Sequence, residues 1–512
     1  VNAQAARAPR RIRPHTYLAY GITDLFGSGA MAVIGGWILF FYTSFCGLSA
    51  VEATSIFAIA RILDAVGGTF IGHVSDTIGN SRLARRFGRR RMFLLFSLPL
   101  MPSFALMWVS GQSYLYYLAT YVFFEVVYAA VLIPYETLAA EMSDDYRTRA
   151  RFAGARILTG QAAVFLASML PRLITGGTKD ATADTFLLMG GIFTLIFIGA
   201  ILTTYLFTWE REPNESDTAA PLPAPFGPMQ IFRNIALTLR IRAFRLHLGM
   251  YLGGFTANDV LIAVLSYYVV FVLGGNVATA STVLGVMTAT QFVSAAAFVH
   301  LTVRLHPGPA FRLAASFYAV GIVLMAALAL PGFPAPLWWI YPIAMCAGIG
   351  RGGLVYIPWN TYNYVADVDE IVSTQRREGI FAGVMTMVRK AVGAFAVMLV
   401  GLLLEAGGFQ SSAPTQPHGA QLAIIAGLTL FPLLALAFGM RIARRFRLNE
   451  HTHSVLMAEI ARFRAGDRRP PTGEAAAIVR DLTGQPPEKL WAGRLDMPRA
   501  APGHPDGAAI AG

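Results

Sequence analysis

Asp64 and Arg61 stand about one helical turn apart, midway along an apolar stretch that runs from Ala50 to Val74. A carboxylate at the centre of a hydrocarbon layer costs about 2.5 kcal/mol or more, so such a residue faces a partner or a water-filled path. The chemistry open to Asp64 is cation exchange. Burial disfavours its charge and neighbouring cations favour it, a balance that lets a proton come and go. Arg61, at i−3, is close enough to pair with it, and a static ion pair is the plainer alternative. Lys390 lies deep in a second apolar stretch. At about 1.5 Å per residue, Asp64 is about 21 Å from one end of its helix and Lys390 about 17 Å from the opposite end of its own. Both therefore reach mid-depth, within range of a salt bridge. Arg389 is adjacent to Lys390 but points about 100° away, so the two cations cannot serve one site equally. Asp259, Arg351 and His300 are further polar residues in apolar surroundings, the histidine near a helix end, where an interfacial role is the plainer one.

The elements that position these residues are membrane spans. Hydrophobic residues make up 55% of the chain and charged ones only 14%, against about 25% charged in soluble domains. About 20 apolar residues cross a bilayer. On that measure the chain divides into twelve stretches, 17–45, 50–75, 92–110, 114–139, 151–175, 184–208, 246–273, 277–304, 310–331, 336–363, 379–405 and 419–441. The first is too long for a signal-peptide core and lacks a cleavage site, so it is expected to stay as a helix. The two cysteines, Cys46 and Cys346, exclude a disulfide framework and argue against a thiolate metal site.

The net charge of +12 follows the topology. Arginines crowd the N-terminal segment, the second-to-third connection (Arg82 to Arg91), the end of the fourth span and the end of the twelfth, while the alternate connections hold little beyond Arg172 and Lys179. The positive-inside rule puts both termini in the cytoplasm, and nucleic-acid binding is not expected. The long connection 209–245 starts Pro-rich. It ends with Ile231, Phe232, Ile235, Leu239 and Ile241 among Arg233, Arg240, Arg242 and Arg245, which suits an interfacial amphipathic helix. The expected segments are a cytoplasmic N-terminal segment 1–16, a six-helix bundle 17–208, the linker 209–245, a second six-helix bundle 246–441 and a cytoplasmic tail 442–512. In the tail one helix ends near Arg464, and the Pro/Gly/Ala-rich remainder is expected to be disordered.

The two bundles echo each other. Ile133-Pro134-Tyr135-Glu136-Thr137 ends the fourth span and Ile357-Pro358-Trp359-Asn360-Thr361 the tenth, each followed by acids, arginines and Phe-Ala-Gly, at 152–154 and 381–383. Two parallel six-helix repeats are the organisation of a rocking transporter with its site between the halves. The paired internal prolines suggest matched kinks.

These residues also carry a family likeness. The chain resembles the glycoside–pentoside–hexuronide:cation symporters of the major facilitator superfamily, over about Tyr20 to Phe409. The matches are ordered: Tyr20-Gly21, Phe41-Tyr42-Thr43 with Gly47-Leu48-Ser49, Ala60 to Ala65, Ser75-Asp76 with Gly88-Arg89-Arg90-Arg91, Ile133-Pro134-Tyr135, Val365-Ala366-Asp367, Asp369-Glu370, Arg377-Glu378-Gly379, Thr386 and Lys390. The resemblance implies an all-α membrane protein with the major-facilitator fold, twelve transmembrane helices in two six-helix bundles related by pseudo-twofold symmetry. It also implies a transporter rather than an enzyme, in the cytoplasmic membrane, working as a monomer on a sugar or glycoside.

By the same resemblance Asp64 takes the place of the acid that binds the coupling cation, with Arg61 and Lys390 beside it. The rest of the family's cation cage is replaced by Gly67, Gly68 and Ala129. A lone carboxylate makes a poor sodium cage, so a proton is expected in preference to sodium, with no metal and no cofactor. For substrate, Ser28 replaces the family's first-span acid, with Asp24 one turn earlier on the same face. Leu132 replaces the fourth-span acid, with Glu136 one turn later and Glu125 two turns earlier. Arg156 keeps the fifth-span arginine, and Trp359, Asn360 and Thr386 are further candidates. Glu125 and Glu136 share a helical face. Carboxylates and an arginine hold sugar hydroxyls by charge-assisted bonds, and the arginine equally suits an acidic sugar. A structural Glu136–Arg156 pair is the competing assignment. Asp76 with Arg89, Arg90 and Arg91 is expected to act as a conformational latch. The competing functions are an uncoupled facilitator, an amphiphile or lysolipid-like carrier, and a non-transporting receptor or scaffold.

Overall fold

The computed structural model describes residues 12–78, 82–143, 145–177, 181–210, 235–330, 336–373, 378–467, 469–486 and 490. Among them every regular element is helical. Ten helices are long and apolar enough to cross a bilayer. They are α1 (Pro14–Ser44), α4 (Tyr114–Met142), α5 (Tyr146–Thr175), α6 (Ala183–Phe207), α7 (Arg242–Val272), α8 (Val277–Leu305), α9 (Pro307–Leu328), α10 (Ile340–Ser373), α11 (Glu378–Ala406) and α12 (His418–Ala443). The remaining two expected spans are α2 (Ala50–Thr77) and the shorter α3 (Arg91–Leu106). At 28 residues α2 is about 42 Å long, more than the ~30 Å of hydrocarbon. In α3, Pro99 and Pro102 remove backbone donors, and the helix tightens into a 3-10 turn at Leu98–Leu100.

Local chemistry sets the ends. Ser49 and Glu52 form a reciprocal capping box at the start of α2. Asp145 caps α5 by accepting from the Thr148 amide at 2.8 Å, and Asn276 caps α8 through the Thr279 amide. Gly176, at φ +65°, closes α5 in the left-handed conformation that glycine tolerates. The first helix of each half carries a π turn near the same end, Ile34–Ile38 in α1 and Tyr268–Val272 in α7, an echo that motif matching did not reveal. Pro134 and Pro358 lie inside continuous helices.

Helices α1 to α6 pack among themselves, as do α7 to α12, and the halves meet through α2 on α11, α5 on α8 and α1 on α7. Large apolar side chains such as Leu115, Leu195 and Val293 face outward, as lipid requires. Hydrogen bonds between the halves gather at the end where α1 finishes. Thr43 meets the Tyr267 hydroxyl at 2.8 Å, Ser411 donates to the Leu48 carbonyl at 2.6 Å, and Arg172 donates to Thr282 at 2.6 Å. Phe40 packs against Tyr267 and Phe271 at the same end.

Two expectations change. The second bundle starts four residues earlier than 246, because Ile241 is the N-cap of α7 and Arg242 and Arg245 lie in its first turn. Of the amphipathic segment, Ile231, Phe232 and Arg233 lie outside the described residues. The tail does not stop at one helix. After α13 (Glu450–Arg464) comes α14 (Gly473–Thr483), which buries Val479, Leu482 and Thr483. Arg242 pairs with Asp481, Arg464 with Glu370, and His453 with Asp367 at 2.9 Å. The Pro-Pro dipeptide at 470–471 hid this helix, although Gly484 beyond it is a recognisable left-handed cap, at φ +73°.

Candidate functional site

Between the halves lies a cavity of about 350 Å³, at the small-molecule end of ligand sites. Its wall is made by Ser28, Gly35, Gly36 and Trp37 of α1, Phe57 and Arg61 of α2, and Gln161 and Ser168 of α5. From the other half come Phe255, Asn258 and Asp259 of α7, Thr288 and Gln291 of α8, Arg351 of α10, and Arg389 and Lys390 of α11. Ser266 donates to the Gly36 carbonyl at 3.1 Å, so the π turn of α1 hands a backbone acceptor to α7 beside the cavity.

Lys390 forms an ion pair with Asp64, which is only 6% exposed. The pair ties α2 of one half to α11 of the other. Arg61 does not share this partner. It turns to Glu125 at 3.9 Å and lies over the Phe57 ring, because Lys390 already occupies Asp64. Glu125 is 2% exposed and accepts no hydrogen bond among the described residues. Arg389 takes Asp259 on α7 at 3.2 Å and stacks over Phe255. The two neighbouring cations of α11 thus serve two acids, one in each half, as their angular separation required.

Asp24, Glu136 and Arg156, three of the residues considered for substrate, form a different cluster. Arg156 donates to Asp24 at 3.2 Å and to Glu136 at 2.6 Å, and Ser28 donates to Asp24 at 2.7 Å. Arg156 also faces Tyr135, which stacks on Tyr20. Of this group only Ser28 lines the cavity. Trp359, 43% exposed, sits edge-on to Tyr251. Neither it nor Asn360 and Thr386 line the cavity. His300 is exposed and bonds its own helix at the Ala296 carbonyl.

The loop arginines bind acids of their own half. Arg89 and Arg90 meet Glu141 at 3.1 and 3.2 Å. Glu210 accepts from the backbone amides of Arg90 and Arg91, and Arg91 donates to the Tyr205 carbonyl. The Asp76 side chain lies outside the described residues. Glu141 and Glu210 were not singled out from the sequence, although each sits at a helix end facing an arginine-rich loop. Asn258, Thr288 and Gln291 were also missed, since lone polar residues in spans give no spacing signal.

The sequence profile described as MFS/sugar transport protein matches residues 19–450. The chain belongs to this family, the glycoside–pentoside–hexuronide symporters. An uncharacterized symporter of Synechocystis sp. is 26% identical, over 87% of this chain and 96% of that protein. A glucuronide carrier protein homolog of Escherichia coli is 24% identical, over 79% of this chain and 86% of that protein. The fold is similar to an inward-facing, unoccupied bacterial homolog of the human lysosomal transporter Spinster, with TM-score 0.61 and 14% identity, over 86% of this chain and 100% of the other. This symporter-family chain is therefore a multi-pass membrane transporter with the major-facilitator fold, and not an enzyme.

Proposed function

We propose that this carrier imports a sugar or glycoside through the cavity by alternating access, with a proton as coupling ion. The observation that carries the reading is the Asp64–Lys390 pair, which links the halves beside the cavity. A proton taken by the Asp64 carboxylate removes the negative charge that holds Lys390, and the halves are freed to rock. Loss of the proton on the other side restores the pair. Sodium fits less well. Gly67, Gly68 and Ala129 offer no side-chain oxygen, and a Cβ on Gly68 would meet the Ile133 side chain at 3.6 Å.

The arginine-rich connections favour cytoplasmic termini. In that orientation the end where the halves are joined is periplasmic, and the carrier faces inward. The glucuronide carrier homolog among its relatives supports a glycoside-class substrate. The Arg156–Asp24–Glu136 cluster then braces the cytoplasmic half of the first bundle.

The test is uptake by proteoliposomes of labelled monosaccharides, disaccharides and hexuronates, with and without a proton gradient. Accumulation that a protonophore abolishes is expected. Equilibrative uptake insensitive to a protonophore would reject coupling and leave a facilitator. Failure of every sugar to exchange would reject sugar transport, in favour of an amphiphile carrier or a receptor.

A further inference from the structure

Among the described residues four cations face the cavity, and three acids answer them. Arg61 is answered by Glu125, Arg389 by Asp259 and Lys390 by Asp64. Arg351 has no carboxylate partner among the described residues, and its Nε has no hydrogen-bond partner. Yet it is 7% exposed, and an unpaired buried guanidinium is costly.

The fold holds it there. A Cβ on Gly350 would stand 2.4 Å from the Tyr318 amide nitrogen of α9, and one on Gly352 2.8 Å from the Gln291 carbonyl of α8. With glycine on both sides, α10 lies flush against α8 and α9, and the side chain of residue 351 is left to line the cavity. Around it the side-chain oxygens of Gln161, Asn258 and Gln291 also have no partner among the described residues, and all three residues line the same space. Such amide oxygens accept from hydroxyls, and a guanidinium donates to a carboxylate in a two-pronged fork.

We propose that the cavity selects an anionic, sugar-sized solute whose carboxylate is received by Arg351 while Asn258 and Gln291 read its hydroxyls. The inference rests on the cavity being the transport site and adds the class of its substrate. Among the described residues the four wall cations outnumber their acid partners by one, which matches a monoanion. Arg351 therefore sets specificity, and the Asp64–Lys390 pair is left free for coupling.

Matched solutes test this on the purified full-length carrier, by thermal shift and competition: D-glucose against D-glucuronate, D-galactose against D-galacturonate, and methyl β-D-glucoside against its uronide. At least one acid is expected to bind tenfold or more tightly than its neutral partner. Arg351→Gln should weaken that acid about ten- to a hundredfold, the loss of one charge-assisted contact, and so narrow or abolish its advantage over the neutral partner. Arg351→Lys should keep part of the preference. The ligand-free Arg351→Gln protein should be no less stable than wild type, because an unpaired buried cation is gone. Binding of the neutral member as well as the acid in every responsive pair overturns the inference and leaves sugar transport standing. Unchanged acid affinity in both Arg351 variants also overturns it. Binding of no member of any pair overturns both.

Discussion

Removing Lys390 should harm the protein far more than removing Asp64, and removing both should repair most of the harm. The two ends of the pair differ in their surroundings. The Asp64 side chain is 3% exposed and that of Lys390 is 26% exposed to the cavity. Lys390→Gln leaves a buried carboxylate whose nearest alternative cation, Arg61, is turned to Glu125. Breaking a buried pair from one side costs about 3 kcal/mol or more. Asp64→Asn leaves an ammonium that cavity water partly screens, a loss of about 1 kcal/mol. The double variant has no buried charge to strand and should also lie about 1 kcal/mol below wild type, because neutral replacement of a whole buried pair is often tolerated. The coupling is then about 3 kcal/mol, the top of the range for touching residues. Unfolding midpoints of the four purified proteins in one detergent measure it. Lys390→Gln should be the least stable, and the double variant should recover to the level of Asp64→Asn. If the two losses simply add in the double variant, the ion pair does not join the halves energetically.

Three other outcomes are expected. Leu482→Ala should release α14 from its seat, since Leu482 is 3% exposed; the cost of a buried leucine, about 2–5 kcal/mol, should appear as faster hydrogen exchange over 473–483 with transport intact. Gly350→Ala places a methyl 2.4 Å from the α9 backbone and should destabilise by about 1–3 kcal/mol; thermal unfolding checks this, and anion binding should fall with it. The bonds from Thr148 and its backbone amide hold the Asp145 carboxyl below its ordinary value of 3.8. The cap it provides is therefore fully present above that value and is lost as pH falls through the lower folded one. Amide exchange at the first turn of α5 should accelerate only in that acid window, and Asp145→Ala should abolish the pH dependence.

Residue counting placed Asp64 and Lys390 at one depth because helix rise is fixed, and the structure pairs them. Ten of the twelve expected spans were legible as long apolar helices, since apolar length is a local property. Partner choice was not legible. Arg61 is one turn from Asp64 yet goes to Glu125, because a cation on α11 competes for the same acid and spacing along α2 carries no record of α11. The loop arginines bind Glu141 and Glu210, acids far from them in sequence that meet this loop only in the folded chain. The weight of Arg351 was likewise hidden. What marks it is the lack of a carboxylate partner among the described residues, which no spacing along α10 could show. The tail helix α14 is a different case, because its cap and apolar stripe were readable and were overshadowed by surrounding prolines.

If Asp64 carries the coupling proton, removing its charge should separate solute movement from proton movement. Proteoliposomes holding a pH-sensitive dye and the Asp64→Asn protein test it most directly, once the uptake screen has given a transported solute. Wild type should take up protons when that solute is added outside, while Asp64→Asn should exchange the solute across the membrane with no proton signal. Solute-driven proton uptake of wild-type size in Asp64→Asn would contradict it.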